Sequence, residues 1–118
     1  MAIDPNGSKA LSVRQEEYIA MRYNGTRSAS SGGAETDEGD VRNVDTLIEC
    51  KVRGTPGKPA KSITITSDIM EKIQDEAFSQ GLGWAVACRL YTDSPIAGRK
   101  GYIDVILRPI GDDLDRYR

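Results

Sequence analysis

The chain has 118 residues, of which 29% are charged and 38% are hydrophobic, and its formal net charge is −2. This length and balance are typical of one soluble globular domain with a modest core. The slightly acidic balance differs from the strong positive charge of many nucleic-acid-binding proteins. The sequence contains no histidine, which excludes Ser-His and Cys-His catalysis and histidine-ligated zinc.

The cysteines and the hydropathy pattern bear on compartment and organisation. Cys50 and Cys88 each lie in an apolar alternation, and we expect free thiols in a reducing compartment rather than a disulfide. Neither a signal peptide nor an apolar run of about 18 residues occurs, so we expect a cytoplasmic protein that does not span a membrane. We expect a flexible arm over 1–11, a single domain over 12–110 and a charged tail over 111–118.

The first predicted element is a helix over about 13–23. Ser12 is its predicted N-cap, with Gln15 as the capping-box partner three residues later. Glu16 lies one turn ahead of Ile19, so the two side chains share the face that we expect to pack against the core. A glutamate on a helix is more often solvated than functional, and the pattern alone does not decide between these roles.

The segments that follow alternate between strand and helix patterns. They are a short strand over 26–29, a polar loop over 30–38, a hairpin from Asp40 to Lys51, a basic loop over 54–61, an edge strand over 62–66, a helix capped by Ser67 and ended by Gly81, a buried strand over 84–90, and a last strand over 102–110 with Ile103, Val105 and Leu107 on its inner face. This order predicts an α/β fold with a mixed central sheet flanked by helices.

The hairpin carries the most informative pattern in the chain. Apolar and polar residues alternate from Leu47 to Arg53, so a strand would place Glu49 and Lys51 side by side on one face. A two-stranded hairpin would also bring Asp40 back beside Glu49. Two carboxylates and an ammonium would then converge, although a surface ion pair is the simpler interpretation of the Glu-x-Lys triplet alone.

Such a group has a specific chemical use. Cleavage of a phosphodiester requires a nucleophilic water and stabilisation of the charge that develops on the phosphorus centre. A Mg²⁺ ion held by a few carboxylates provides both. Asp40 and Glu49 can hold the ion, while Lys51 can orient the attacking water or lower its pKa. The three residues are therefore the candidate catalytic group.

These residues also carry a family resemblance. Asp40 followed by the Ile48–Lys51 run, Ile-Glu-Cys-Lys, is similar to the signature of the PD-(D/E)xK nuclease superfamily, with Gly39 where that signature has proline. The segment 27–33, Arg-Ser-Ala-Ser-Ser-Gly-Gly, resembles the loop that precedes the metal-binding aspartate in archaeal-type Holliday junction resolvases and their phage relatives. The similarity extends over about residues 12–108.

The resemblance implies a fold and an activity. The fold would be restriction-endonuclease-like, a mixed central sheet flanked by helices. The activity would be Mg²⁺-dependent cleavage, with Mn²⁺ as a substitute and no nucleotide cofactor, and the substrate would be branched DNA. A homodimer would resolve a four-way junction by paired nicks, and a phage protein of this kind would act in the host cytoplasm.

The resemblance also implies roles for individual residues. Asp40 and Glu49 would bind the metal, Lys51 would be the catalytic lysine, and Glu16, or failing it Glu17, would complete the catalytic and metal site.

Further residues are candidates for contact with DNA. The resemblance implies that Arg27 contacts DNA and that Ser30 or Ser31 lies near the scissile phosphate. The basic loop with Lys58 and Lys61 is either a phosphate contact or an ordinary connector, and with Arg53 it completes the candidate DNA-binding set.

Two alternatives stay open at this point. One is a restriction-like or repair nuclease that acts on other DNA substrates, since substrate choice lies in loops and dimer geometry. The other is a non-catalytic α/β DNA-binding module in which the carboxylates only cap or pair. The second alternative predicts that Asp40 and Glu49 are not adjacent.

Overall fold

The computed structural model describes residues 7–28 and 40–111 of the chain. Its elements are α1 Ser8–Arg22, β1 Thr26–Arg27, β2 Val41–Arg42, β3 Thr46–Arg53, α2 Ser67–Ser79, β4 Gly83–Tyr91, a 3₁₀ segment Pro95–Lys100, and β5 Tyr102–Leu107. The strands form one sheet in the order β1-β2-β3-β4-β5. Only β3 and β4 are parallel within this sheet, and the other neighbours are antiparallel. The predicted mixed α/β architecture with flanking helices is confirmed.

The parallel pair forms the centre of the sheet. Its register runs from Thr46 opposite Gly83 to Arg53 opposite Leu90. Parallel neighbours need a long crossover, and α2 lies within the one that joins β3 to β4. Successive residues of a strand point to opposite faces, and Ile48 packs with α1 while Leu47 packs with α2. The two helices therefore cover opposite faces of β3.

Helix α1 begins earlier than the sequence pattern predicts. Leu11, Gln15 and Ile19 are all buried and lie four residues apart, so the stripe that faces the sheet starts one turn upstream of the expected helix. Gly7 is the N-cap residue. The predicted start near Val13, with Ser12 as the cap and Gln15 as its partner, is therefore wrong.

Helix α2 is close to its prediction. Thr66, one residue before the expected cap, is the N-cap, and its Oγ1 accepts a hydrogen bond from the Ile69 backbone N–H at 3.3 Å. Ile73 and Ala77 are buried against the sheet. The helix is followed by Gly81 at a φ of +70°, a left-handed conformation that glycine adopts without strain.

Two strand predictions fail at the edges of the sheet. Residues 62–66 form no strand; Ile63 and Ile65 instead pack half-buried against the core beneath α2. The last strand ends at Leu107, and Val105 and Leu107 are 48% and 39% exposed instead of lying on an inner face. The reason is that α2 packs on β3 and β4 and leaves the outermost strand uncovered on this face.

Three further expectations concern the cysteines, the membrane and the terminal and loop segments. Cys50 and Cys88 are free thiols, as predicted. Across 7–28 and 40–111, no helix has the length and apolar character needed to cross a membrane. Residues 1–6 of the predicted arm, the loop 30–38 and residues 112–118 of the predicted tail lie outside the described residues.

Candidate active site

The β2–β3 hairpin places Asp40 beside Glu49. The Asp40 backbone N–H donates to the Ile48 carbonyl at 2.9 Å, and Asp40 Oδ2 accepts from the Cys50 backbone N–H at 2.8 Å. The two carboxyls are close enough for the charge of Asp40 to raise the pKa of Glu49. The predicted adjacency of the two carboxyls is confirmed, and the backbone of β3 holds Asp40 in place.

The pair of carboxyls is electrostatically unfavourable when both are charged. Burial and then the charge of Asp40 raise the pKa of Glu49 to about 7. Burial also raises the pKa of Asp40, with a further contribution from the charge of Glu16, while the Cys50 N–H opposes the shift. Burial and the charge of Asp40 therefore both favour the protonated form of Glu49. Strongly shifted carboxyls in a cleft are typical of functional sites.

Two lysines lie on the same side of the sheet as Glu49. The charges of Lys51 and Lys72 both lower the pKa of Glu49 and so partly oppose the effect of burial. Lys51 follows Glu49 by two residues on β3, and Lys72 projects from α2. All three line a cleft of about 240 Å³ between the strand and the helix, which Asp68 and Glu76 also line. The predicted position of Lys51 on the Glu49 face is confirmed.

Glu16 lies near the pair but has its own partner. It is buried on α1, and its Oε1 accepts a hydrogen bond from Arg27 Nε at 3.0 Å. Its charge contributes to raising the pKa of Asp40, which places the two carboxyls in the same electrostatic environment. Glu17 is exposed, so Glu16 is the better placed of the two glutamates.

Asp40 and Glu49 are the candidate ligands for a hard cation. Within residues 7–28 and 40–111, no group of three acidic or cysteine side chains is close enough together to hold a metal ion. Asp40 and Glu49 nevertheless supply adjacent carboxylate oxygens of the kind that Mg²⁺ prefers, together with room for water ligands. Burial raises the pKa of both carboxyls, and the charge of Asp40 raises that of Glu49 further, so a cation beside the two carboxylates would favour their charged forms.

The candidate DNA-binding residues are spread around this cleft. Arg27 is engaged by Glu16 at the outer strand β1. Arg53, Lys58 and Lys61 are exposed, the first at the end of β3 and the others in the loop that follows it. Ser30 and Ser31 lie outside the described residues. The roles of all these residues in DNA binding stay predictions.

Two residues bear on this site without a signal in the motif, Gln15 behind the strand and Lys72 in the cleft. Gln15 is 1% exposed, and its Nε2 donates to the carbonyls of Lys51 at 3.0 Å and Ala87 at 3.1 Å, which ties α1 to the backbone of the candidate catalytic strand. Its spacing between Leu11 and Ile19 was the available signal. Lys72 follows Ile69 by three residues on α2, and this spacing places Lys72 on the same side of the helix as Ile69.

A second ionic group, with a buried arginine and an exposed aspartate, lies across the sheet from the cleft. Arg89 is 4% exposed, and its Nε and Nη2 donate to the two carboxylate oxygens of Asp104 at 2.8 and 2.9 Å. The guanidinium also lies 4.0 Å from the centroid of the Tyr102 ring and 5.4 Å from that of Tyr18. This bidentate, stacked arrangement satisfies the charge of Arg89 within the fold.

Comparisons of the chain with protein-family models, with curated proteins and with solved structures find no match.

Proposed function

We propose that this chain is a Mg²⁺-dependent DNA endonuclease that resolves four-way junctions by paired nicks. The observation that carries the proposal is the adjacency of two carboxyls, Asp40 and Glu49, with Lys51 beside Glu49 on the same face of β3. Such a group suits phosphodiester hydrolysis by a metal-bound water.

The residues have separate roles in this proposal. Asp40 and Glu49 would hold the cation, and the Cys50 N–H keeps Asp40 in position. The chemistry that a Mg²⁺ ion would supply there is an acidified water and a positive charge beside the scissile phosphate. Lys51 would orient the attacking water and face the negative charge that develops on the phosphate. Glu16 would complete the metal site from α1, where Arg27 Nε donates a hydrogen bond to its carboxylate.

The finer structural proposals rest on the resemblance. We propose that the mixed sheet is of the restriction-endonuclease type, because its motif residues lie on a β-hairpin beside a parallel strand pair. We also propose a homodimer, because two opposed strands of a pseudo-symmetric junction call for two active sites related by symmetry. Arg53, Lys58 and Lys61, with Ser30 and Ser31, would contact the DNA backbone.

The experiment that tests this function compares DNA substrates in one assay. The purified protein is incubated with labelled four-way junction, flap, nicked and linear duplex DNA, in Mg²⁺, in Mn²⁺ and in EDTA. We expect symmetric nicks on the junction in either metal and no cleavage in EDTA. The variant Glu49→Gln should lose cleavage by at least about a hundredfold while it retains junction binding, because it removes one charged ligand.

The matched control is Glu71→Gln, which changes an exposed glutamate of α2 that does not line the cleft. It should cut at the wild-type rate. Cleavage of linear or nicked duplex instead of junction would replace the resolvase with a restriction-like or repair nuclease. Cleavage that persists in EDTA would remove the metal mechanism. Binding of DNA with no cleavage in either metal would leave only a DNA-binding module.

A further inference from the structure

A second cleft, of about 500 Å³, lies on the other side of Lys51. It is formed where the beginning of α1 meets the end of β3 and the loop that follows β3. The side chains that could bind a ligand there are Lys51, Arg53, Lys58, Ser8, Ser12 and Thr55. Its volume is about twice that of the cleft at Glu49.

The two clefts differ in the sign of their charge. Glu49, Asp68 and Glu76 line the first cleft beside two lysines. Among the described residues, those that line the second cleft include three cations and no carboxylate. A concave surface with cations and hydroxyls and no acidic group favours an anion with several oxygen acceptors. In a chain whose net charge is −2, this concentration of positive charge is local.

Local backbone structure positions the two outer cations. The turn from Thr55 to Lys58 is closed by hydrogen bonds in both directions, at 2.9 and 3.1 Å, and Thr55 Oγ1 also accepts from the Lys58 N–H at 2.9 Å. Arg53 Nη1 donates to the Val52 carbonyl at 2.7 Å, which orients the guanidinium along the end of β3. Hydrogen bonds within the turn therefore fix the backbone of the loop 54–61 at Lys58.

Lys51 is shared by the linings of both clefts, the first between β3 and α2 and the second between β3 and the beginning of α1. We propose that the second cleft binds a backbone phosphate of the DNA strand that is cut, next to the scissile phosphate, with Arg53 and Lys58 as the charged contacts and Ser8, Ser12 and Thr55 as hydroxyl contacts. This inference rests on the proposed nuclease function. It assigns the path of the strand: from the Glu49 cleft, past Lys51, toward the Thr55–Lys58 turn.

Binding measurements in EDTA test the subsite separately from cleavage. Fluorescence anisotropy with a fluorescein-labelled four-way junction is recorded over a range of salt concentrations for the wild type, Lys58→Ala and Arg53→Ala/Lys58→Ala. We expect the double variant to bind about tenfold more weakly, with a salt-dependence slope lower by about 1, because one phosphate contact is lost. Lys58→Ala alone should give a smaller effect in the same direction.

The matched control is Lys100→Ala, which removes one exposed positive charge that does not line the cleft. It should bind within about twofold of the wild type. The single variant Lys58→Ala and the double variant Arg53→Ala/Lys58→Ala change exposed residues only, and thermal melts will verify that both fold.

A second measurement on the wild type is an NMR titration of ¹⁵N-labelled protein with tetrathymidylate in EDTA. Amide shifts should concentrate at residues 8–12 and 53–58.

The outcomes separate this proposal from the nuclease function. Wild-type binding by the double variant, an equal loss in Lys100→Ala, or amide shifts away from these segments would overturn the subsite even if the wild type cuts junctions. The expected losses and shifts in a protein that cuts no DNA in Mg²⁺ would support the subsite and refute the nuclease. A wild type that binds no DNA would overturn both.

Discussion

The described part of the sheet contains two ionic groups, one a pair of opposite charges and the other a pair of like charges. Arg89 and Asp104 have opposite charges and meet through two hydrogen bonds, and the Arg89 guanidinium lies over the Tyr102 ring. Asp40 and Glu49 have like charges, and the pKa of each is raised. In the first group the two charges offset each other, whereas in the second the Cys50 N–H, Lys51 and Lys72 offset the cost of burying the carboxylates only in part.

The difference separates structure from function. Two opposite charges that pair with good geometry stabilise the fold or at least cost it little. Two like charges that the backbone holds together cost stability, and such unfavourable pairs are typical of functional sites. The contrast therefore predicts opposite signs for mutations in the two groups.

The largest effect is expected at Asp104. Asp104→Ala would leave the Arg89 guanidinium buried without its carboxylate, and the free energy of unfolding should fall by about 3 kcal/mol. Urea unfolding at pH 7 measures this. The control is Asp93→Ala, which changes an exposed aspartate and should lower the free energy of unfolding by less than about 0.5 kcal/mol. Equal losses in the two variants would mean that the Arg89 pair does not stabilise the fold.

The opposite sign is expected at Glu49. Glu49→Gln removes a charge that burial and Asp40 disfavour, so at pH 8 without metal the variant should be more stable than the wild type by about 1–2 kcal/mol. Urea unfolding in EDTA measures the change, with Glu71→Gln as the control. A destabilised Glu49→Gln would show that the Asp40–Glu49 pair is an ordinary structural contact.

The same carboxyl predicts a pH dependence. The pKa of Glu49 is about 7 in the fold and 4.5 as its ordinary value, so between these pH values the folded chain binds more protons than the unfolded chain. The contribution of Glu49 to stability is therefore full below about pH 4.5 and is lost as the pH rises through about 7. Unfolding in EDTA at pH 5, 6, 7 and 8 should show a decline that is smaller in Glu49→Gln. Parallel profiles for the two proteins would contradict the raised pKa.

The smallest effect concerns the rings around Arg89. The Tyr102 centroid is closer to the guanidinium than that of Tyr18, at 4.0 against 5.4 Å. Double-mutant cycles that combine Arg89→Met with Tyr102→Leu or with Tyr18→Leu should give a coupling of about 1 kcal/mol for Tyr102 and less for Tyr18. The reverse order would mean that stacking does not add to the Asp104 pair.

Local patterns in the sequence were sufficient for the hairpin, for β4 and for most of α2. Alternation from Leu47 to Arg53 placed Glu49 and Lys51 on one face, because side-chain direction in a strand depends only on position. A tight turn between β2 and β3 then determined that Asp40 returns beside Glu49. These features are local in the chain, and so the sequence could reveal them.

Other features required the tertiary structure. Gln15 was misassigned to a cap because only packing shows that it reaches the carbonyls of Lys51 and Ala87. Ile63 and Ile65 alternate like a strand, yet they pack beneath α2. Val105 and Leu107 alternate like core residues, yet α2 leaves their side of β5 uncovered.

The sequence by itself thus determined which side chains could share a face, through the periods of helix and strand. The tertiary structure alone decided which of those faces are covered, and it raised the pKa of two carboxyls by burying them together. The physical reason is that periodicity is a property of a segment, whereas burial and charge repulsion depend on which segments meet.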